Sequence, residues 1–230
     1  HEPDIAKDDA ADQVRHKEDR TEDIRALDAL RQDIGDGECQ HIDDEQRHER
    51  EQRRVPERVQ EAIVLENGLR IFPGMETDIA EGGHILTIGC AQEILELNQR
   101  LEPYKEKGSF LPFEELMELF SDYQVLVGGA HPYRAGGHIP ERPQESIRQL
   151  DFFDMNGKDV ALDRERTETL TKALGEKYQI PIIAGSDTHQ ALQYGCIFTE
   201  MWYDVDTISK LYGEIRRRNY HIVVSDQARE

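Results

Sequence analysis

Residues Gln124–His131 read QVLVGGAH, and the fold turns on this stretch. Val125, Leu126 and Val127 follow one another with no polar break, and Gly128, Gly129 and Ala130 carry the chain to a polar end at His131. An apolar run of this length, without alternation, reads as a strand covered on both faces, the kind found in parallel α/β sheets. Ile180–Gly185 (IPIIAG) is a second buried strand, and Cys196–Met201 a further one. Toward the N-terminus, Leu69–Thr77 (LRIFPGMET) and His84–Cys90 (HILTIGC) read as strands separated by the acidic and glycine turn Asp78–Gly83. Ala91–Glu106, Pro112–Tyr123, Arg164–Tyr178 and Val205–Asn219 read as helices, and Leu150–Met155 and Tyr220–Ser225 as short strands. A Gly/Pro-rich loop, Pro132–Pro143, follows the deciding strand. Strands alternating with helices predict a mainly parallel α/β sheet or barrel. No internal repeat is visible.

The first 60 residues have another character. They hold 19 Asp/Glu and 11 Lys/Arg, and no aromatic residue precedes Phe72. Thr21–Gln32 reads as a short helix with Thr21 as its N-cap and Ile24, Leu27 and Leu30 on one face. Taken alone, such a segment buries too little apolar surface to fold. The expectation is one domain over residues 1–230, with 1–60 an atypical N-terminal portion.

Composition narrows the function classes. The net charge of −20 disfavours a general affinity for long duplex nucleic acid, which depends on cationic contacts to phosphate. No run approaches the roughly 18 apolar residues of a membrane span. The three cysteines, Cys39, Cys90 and Cys196, are odd in number and scattered, which predicts a reducing, cytoplasmic setting rather than a disulfide framework. Oligomeric state is not legible. There is no Gly-rich phosphate loop, no paired-cysteine zinc knuckle and no Gly-x-Ser-x-Gly elbow.

Five residues with ligand chemistry fall where strands begin or run out. Glu76 closes LRIFPGME, His84 opens the next strand, His131 ends QVLVGGAH, and Asp187 and His189 follow IPIIAGS. In a parallel α/β fold the C-terminal strand ends share one rim, where barrel enzymes place their sites. Asp187 and His189 are two apart, so extended backbone points both the same way. Each has an ordinary alternative: Asp187 as a helix cap, Glu76 and His131 as plain strand ends. Their joint placement, next to small residues, favours a divalent-ion site.

The segments PGMET, GHILTIG, GGAHPYR and IIAGSDTH, in that order and spacing, resemble the PHP family, the polymerase and histidinol phosphatase domain. The resemblance runs from about residue 62 to the C-terminus. It implies a distorted seven-stranded (β/α)7 barrel, TIM-like, holding two or three divalent ions (Zn, Mn or Fe) and hydrolysing phosphate esters. By position, Glu76 resembles the metal-bridging carboxylate, and His84, His131, Asp187 and His189 the further ligands. Family members open with two histidine motifs that are not intact here. His1, in His1-Glu2-Pro3, and His41, after the turn Gly35-Asp36-Gly37, stand where their histidines would fall.

The implied reaction is hydrolysis by metal-activated water, with Asp187 in the catalytic set and Arg134 placed to grip a phosphate bidentately. Lys158 and Ser186 are weaker substrate-binding candidates. The expected substrate is a small phosphorylated metabolite, a nucleotide or the end of a short oligonucleotide. Two other readings stand beside it. An amidohydrolase would call for a carbamylated lysine or a second His-x-His, and neither is visible. A degenerate, non-catalytic interaction module is the other.

Overall fold

A computed structural model of the chain describes residues 62–226. His1, His41 and the predicted helix Thr21–Gln32 lie outside the described residues. Strands β1 (Ile63–Val64) and β2 (Arg70–Ile71) form a small hairpin. Next come β3 (Gly74–Asp78), β4 (His84–Ile88), helix α1 (Ala91–Arg100), α2 (Phe113–Ser121) and β5 (Leu126–Gly129). The chain continues through α3 (Gln144–Ile147), β6 (Phe152–Asn156), α4 (Gly157–Leu162), α5 (Arg164–Tyr178) and β7 (Ile182–Gly185). It closes with β8 (Ile197–Met201), α6 (Ile208–Arg217) and β9 (Tyr220–Val224). The single strand expected over Leu69–Thr77 is two strands, β2 and β3, separated by Phe72 and Pro73; proline has no N–H for a ladder.

The central sheet has five strands in the order β3-β4-β5-β6-β7. It is mixed rather than mainly parallel. β4 is antiparallel to both its neighbours, β3 and β5, and β5, β6 and β7 run parallel. The cause is the connection between β3 and β4. A tight turn, Ile79–Gly83, is too short for a crossover helix and permits an antiparallel partner alone. Gly82 makes that turn with φ +92°, and a Cβ there would stand 2.5 Å from the Gly136 carbonyl oxygen, so the turn packs directly on the loop that follows β5.

Strand β6 is buried at all five positions, as expected of a parallel strand covered on both faces. On one face Phe152 and Leu126 pack against Ile215 of α6, with Leu86, Ile88 and Ile183 around them. Beside it, Met155, Val160 of α4, Cys196 and Ile197 form a second cluster. Ile85, Phe113, Leu116, Met117, Ile147 and Phe153 are likewise almost wholly buried. Helix α5 is capped by Asp163, whose carboxylate accepts the Arg166 amide at 3.1 Å, and α4 by Asn156, which accepts the Lys158 amide at 3.0 Å.

The closed seven-stranded barrel is not found among the described residues. Backbone pairing stops at β7, and β8 pairs with β9 in a separate two-stranded sheet. The contact across that break runs through a side chain. The Ala184 amide donates to Thr199 Oγ1 at 2.7 Å, and that hydroxyl donates to the Ala184 carbonyl at 3.1 Å. A hydroxyl takes the place of the ladder, so the sheet is open at this edge. No helix of the described residues is long and apolar enough to cross a membrane.

Candidate metal centre

The antiparallel order of β3, β4 and β5 brings three of the sequence-predicted residues together. In the β3–β4 register Asp78 is opposite His84, and in the β4–β5 register Ile85 is opposite Gly129. The last residues of β3, the first of β4 and the first beyond β5 therefore share one edge. His84 reaches this edge from a strand start because its strand runs the other way.

At that edge Glu76, His84 and His131 offer ligand atoms all within 4.8 Å of one another. His84 Nδ1 is 2.8 Å from Glu76 Oε1 and 3.1 Å from His131 Nε2, and His131 Nε2 is 3.3 Å from the same carboxylate oxygen. Asp78 Oδ1 stands 3.2 Å from the other ring nitrogen of His84, which orients it. Zinc holds nitrogen and oxygen at about 2.0–2.2 Å, so three atoms this close to one another fall within reach of a single ion. Two imidazoles and a carboxylate suit Zn, Mn or Fe better than Ca. The donor set fits a divalent ion.

The environments of the three differ. His131 is buried at 4% side-chain exposure, while His84 and Glu76 are 36% and 45% exposed, so the cluster opens to solvent on one side. Hydrogen bonds from His131 and His84 hold the Glu76 carboxyl far below the usual range. The bond to Glu76 raises the pKa of His84. His131 Nδ1 is buried without a hydrogen-bond partner among the described residues. His131 also has φ +28°, and Asp187 φ +48°, conformations that non-glycine residues seldom adopt and that cluster at functional sites.

Asp187 and His189 lie outside this trio. Asp187 accepts from Arg134 Nη2 at 3.1 Å, and His189, 70% exposed, donates from Nδ1 to the Asp187 carbonyl at 2.8 Å. Arg134 also donates from Nε to Asp159 at 2.9 Å and from Nη2 to Asn156 at 2.7 Å. Two of its donors, Nε and Nη2, are thus engaged inside the protein. Lys158 is exposed, and its backbone amide serves the α4 cap. The Ser186 hydroxyl bonds that of Thr188.

Sequence reasoning missed Asp154, Asn156 and Asp159. Asp154 is buried in β6, where desolvation pushes its carboxyl up to about 6, opposed by the Asn156 amide, which donates to it at 3.1 Å. A signal was present in Phe152–Asn156, FFDMN: two polar residues at period two inside an otherwise apolar strand.

No protein-family model matches this sequence, and no curated protein matches it in sequence. Among solved structures the fold is similar to that of PsfC from Pseudomonas syringae, at 18% identity and a TM-score of 0.55, covering 72% of this chain and 64% of that one. The lesion-specific endonuclease PfuEndoQ from Pyrococcus furiosus follows at 17% identity and TM-score 0.49, over 70% of this chain and 44% of that one. A complex of Endonuclease Q with a 27-mer duplex bearing an abasic lesion gives 17% and 0.48, over 68% of this chain and 43% of that one. The chain spans less than two thirds of each of these proteins, and at such identities the likeness is one of fold.

Proposed function

We propose that the chain is a PHP-type, metal-dependent phosphoesterase, one domain over residues 1–230, acting on a small phosphorylated metabolite, a nucleotide or an oligonucleotide end. The observation that carries this reading is the mutual approach of Glu76 Oε1, His84 Nδ1 and His131 Nε2 at 2.8–3.3 Å. These three residues would hold a divalent ion. Once bound, the ion supplies an activated water at neutral pH and a Lewis-acid contact for a phosphoryl oxygen.

The chain's own residues set the conditions. Glu76 stays ionised across the neutral range because its two histidine partners favour the charged form. His84 must release its ring proton for Nδ1 to act as a ligand. Buried His131 anchors the dry side of the cluster, and the exposed side is left for substrate. Asp187 and His189 stand beyond the end of β7, and the resemblance makes them further ligands of the cluster.

A non-catalytic metal-binding module is the second reading, favoured by the engagement of Asp187 with Arg134 rather than with the trio. One experiment separates the two. Protein purified without chelator is analysed for metal and assayed on an aryl phosphate, a nucleoside monophosphate, a single-stranded oligonucleotide and a duplex. The duplex belongs in the panel because net charge is the sole ground for disfavouring it. Bound metal with hydrolysis that Glu76→Gln abolishes supports the enzyme. Bound metal with no turnover on any of them supports the module.

A further inference from the structure

We propose that Arg134 is a built-in cation occupying the charge position of a second metal ion, so that the centre holds one ion tightly and not two or three. This rests on the proposed reading of Glu76, His84 and His131 as ligands to the first ion. The two regions are contiguous. The Arg134 amide donates to the His131 carbonyl at 3.0 Å, and Asp154 receives a hydrogen bond from the His131 backbone.

The guanidinium is surrounded by the residues that would otherwise attract a cation. Nε donates to Asp159 of α4, and Nη2 to Asn156 of β6 and Asp187 beyond β7, at 2.7–3.1 Å. Asn156 in turn donates to buried Asp154. Three carboxylates from three elements are thereby tied, directly or through one amide, to a single positive group. Arg134 is 25% exposed, Asp159 16% and Asp187 19%, so solvent screens these charges only in part.

An arginine keeps its charge at every accessible pH, so it cannot step aside by losing a proton as lysine or histidine can. The Asp187 oxygen it holds is one that a further ion would need. A divalent ion brought beside the guanidinium would meet a positive charge at close range in a partly buried site, where such repulsion is strong. Removing the charge reverses the balance. Asp159 and Asp187 would then lose their guanidinium partner, and Asn156 the donor that ties it, and through it Asp154, to a positive charge.

The test uses the full chain, stripped with chelator, dialysed and titrated with Mn²⁺ or Zn²⁺. Calorimetry and elemental analysis read ions per chain, with no dependence on activity. The wild type is expected to take one ion tightly. Arg134→Gln, which keeps an amide donor and loses the charge, is expected to take two, the second binding at least about tenfold more tightly than any second ion in the wild type. Arg134→Lys retains the charge and should stay at one. Two equally tight ions in the wild type would overturn the proposal, whether or not the variants fold. So would Arg134→Gln, with a cooperative melt, remaining at one. If no protein binds an ion, the reading of the first site falls as well. One ion in every protein, lost in His131→Ala, keeps that site and rejects the role of Arg134.

Discussion

His84 Nδ1 and His131 Nε2 point at each other across 3.1 Å, their rings 80° from coplanar and both beside Glu76 Oε1. Both nitrogens also stand within 3.3 Å of that carboxylate oxygen, the arrangement that the proposed ion would need. His84→Ala and His131→Ala should each weaken divalent-ion binding by about tenfold or more, measured by calorimetric titration. Unchanged affinity in both would remove these residues from the ligand set.

The same cluster sets a pH dependence in chelator-treated protein. Glu76 is lowered from 4.5, so its contribution to stability is present above that value and fades as pH falls below it. His84 is raised from 6.5, so its contribution is full below 6.5 and fades as pH rises through the raised value. The cluster's contribution to stability without metal should therefore be greatest between the two and decline on the alkaline side. Ion binding should do the opposite and tighten with pH, because ligation needs neutral His84. Melts at several pH values, with and without Mn²⁺, read both trends; a flat metal-free profile from weakly acidic to weakly alkaline pH would contradict the assignment.

Asp154 carries a separate pH signature. Its carboxyl moves from 3.8 to about 6 on folding, chiefly because burial disfavours the charge. The stability it contributes is thus complete below 3.8 and lost as pH rises toward 6, by roughly 3 kcal/mol in all. Asp154→Asn does not titrate. The melting temperature of that variant, relative to wild type, should climb across this interval and level off above it. A constant difference would mean that the carboxyl is not perturbed by burial.

Gly128 is required by packing. A Cβ at this position would stand 2.1 Å from the Phe152 ring, which is 1% exposed and packed with Leu126 and Ile215. Gly128→Ala should cost about 1–3 kcal/mol in urea unfolding. Adding Phe152→Leu should cost less than the sum of the two single changes, since the smaller side chain relieves the overlap.

How much of this was legible in the sequence follows from what is local. The apolar run of Gln124–His131 and the amphipathic helices are properties of adjacent residues, and the observed elements follow the predicted ones closely. Glu76, His84, His131, Asp187 and His189 stood out because each sits at a change of element. Strand direction was not local. Whether β4 runs with or against β3 decides whether a histidine at its start meets the ends of its neighbours, and five residues between them decided it.

Sequence alone determined which segments are strands and helices and which residue types wait at their ends, since periodicity and capping act within a few residues. Tertiary structure decided which of those ends meet. It placed Glu76 with His84 and His131, gave Asp187 to Arg134, and hid Asp154 inside β6. These are contacts between residues up to 55 apart along the chain, set by pairing direction and burial, which no short window of sequence encodes.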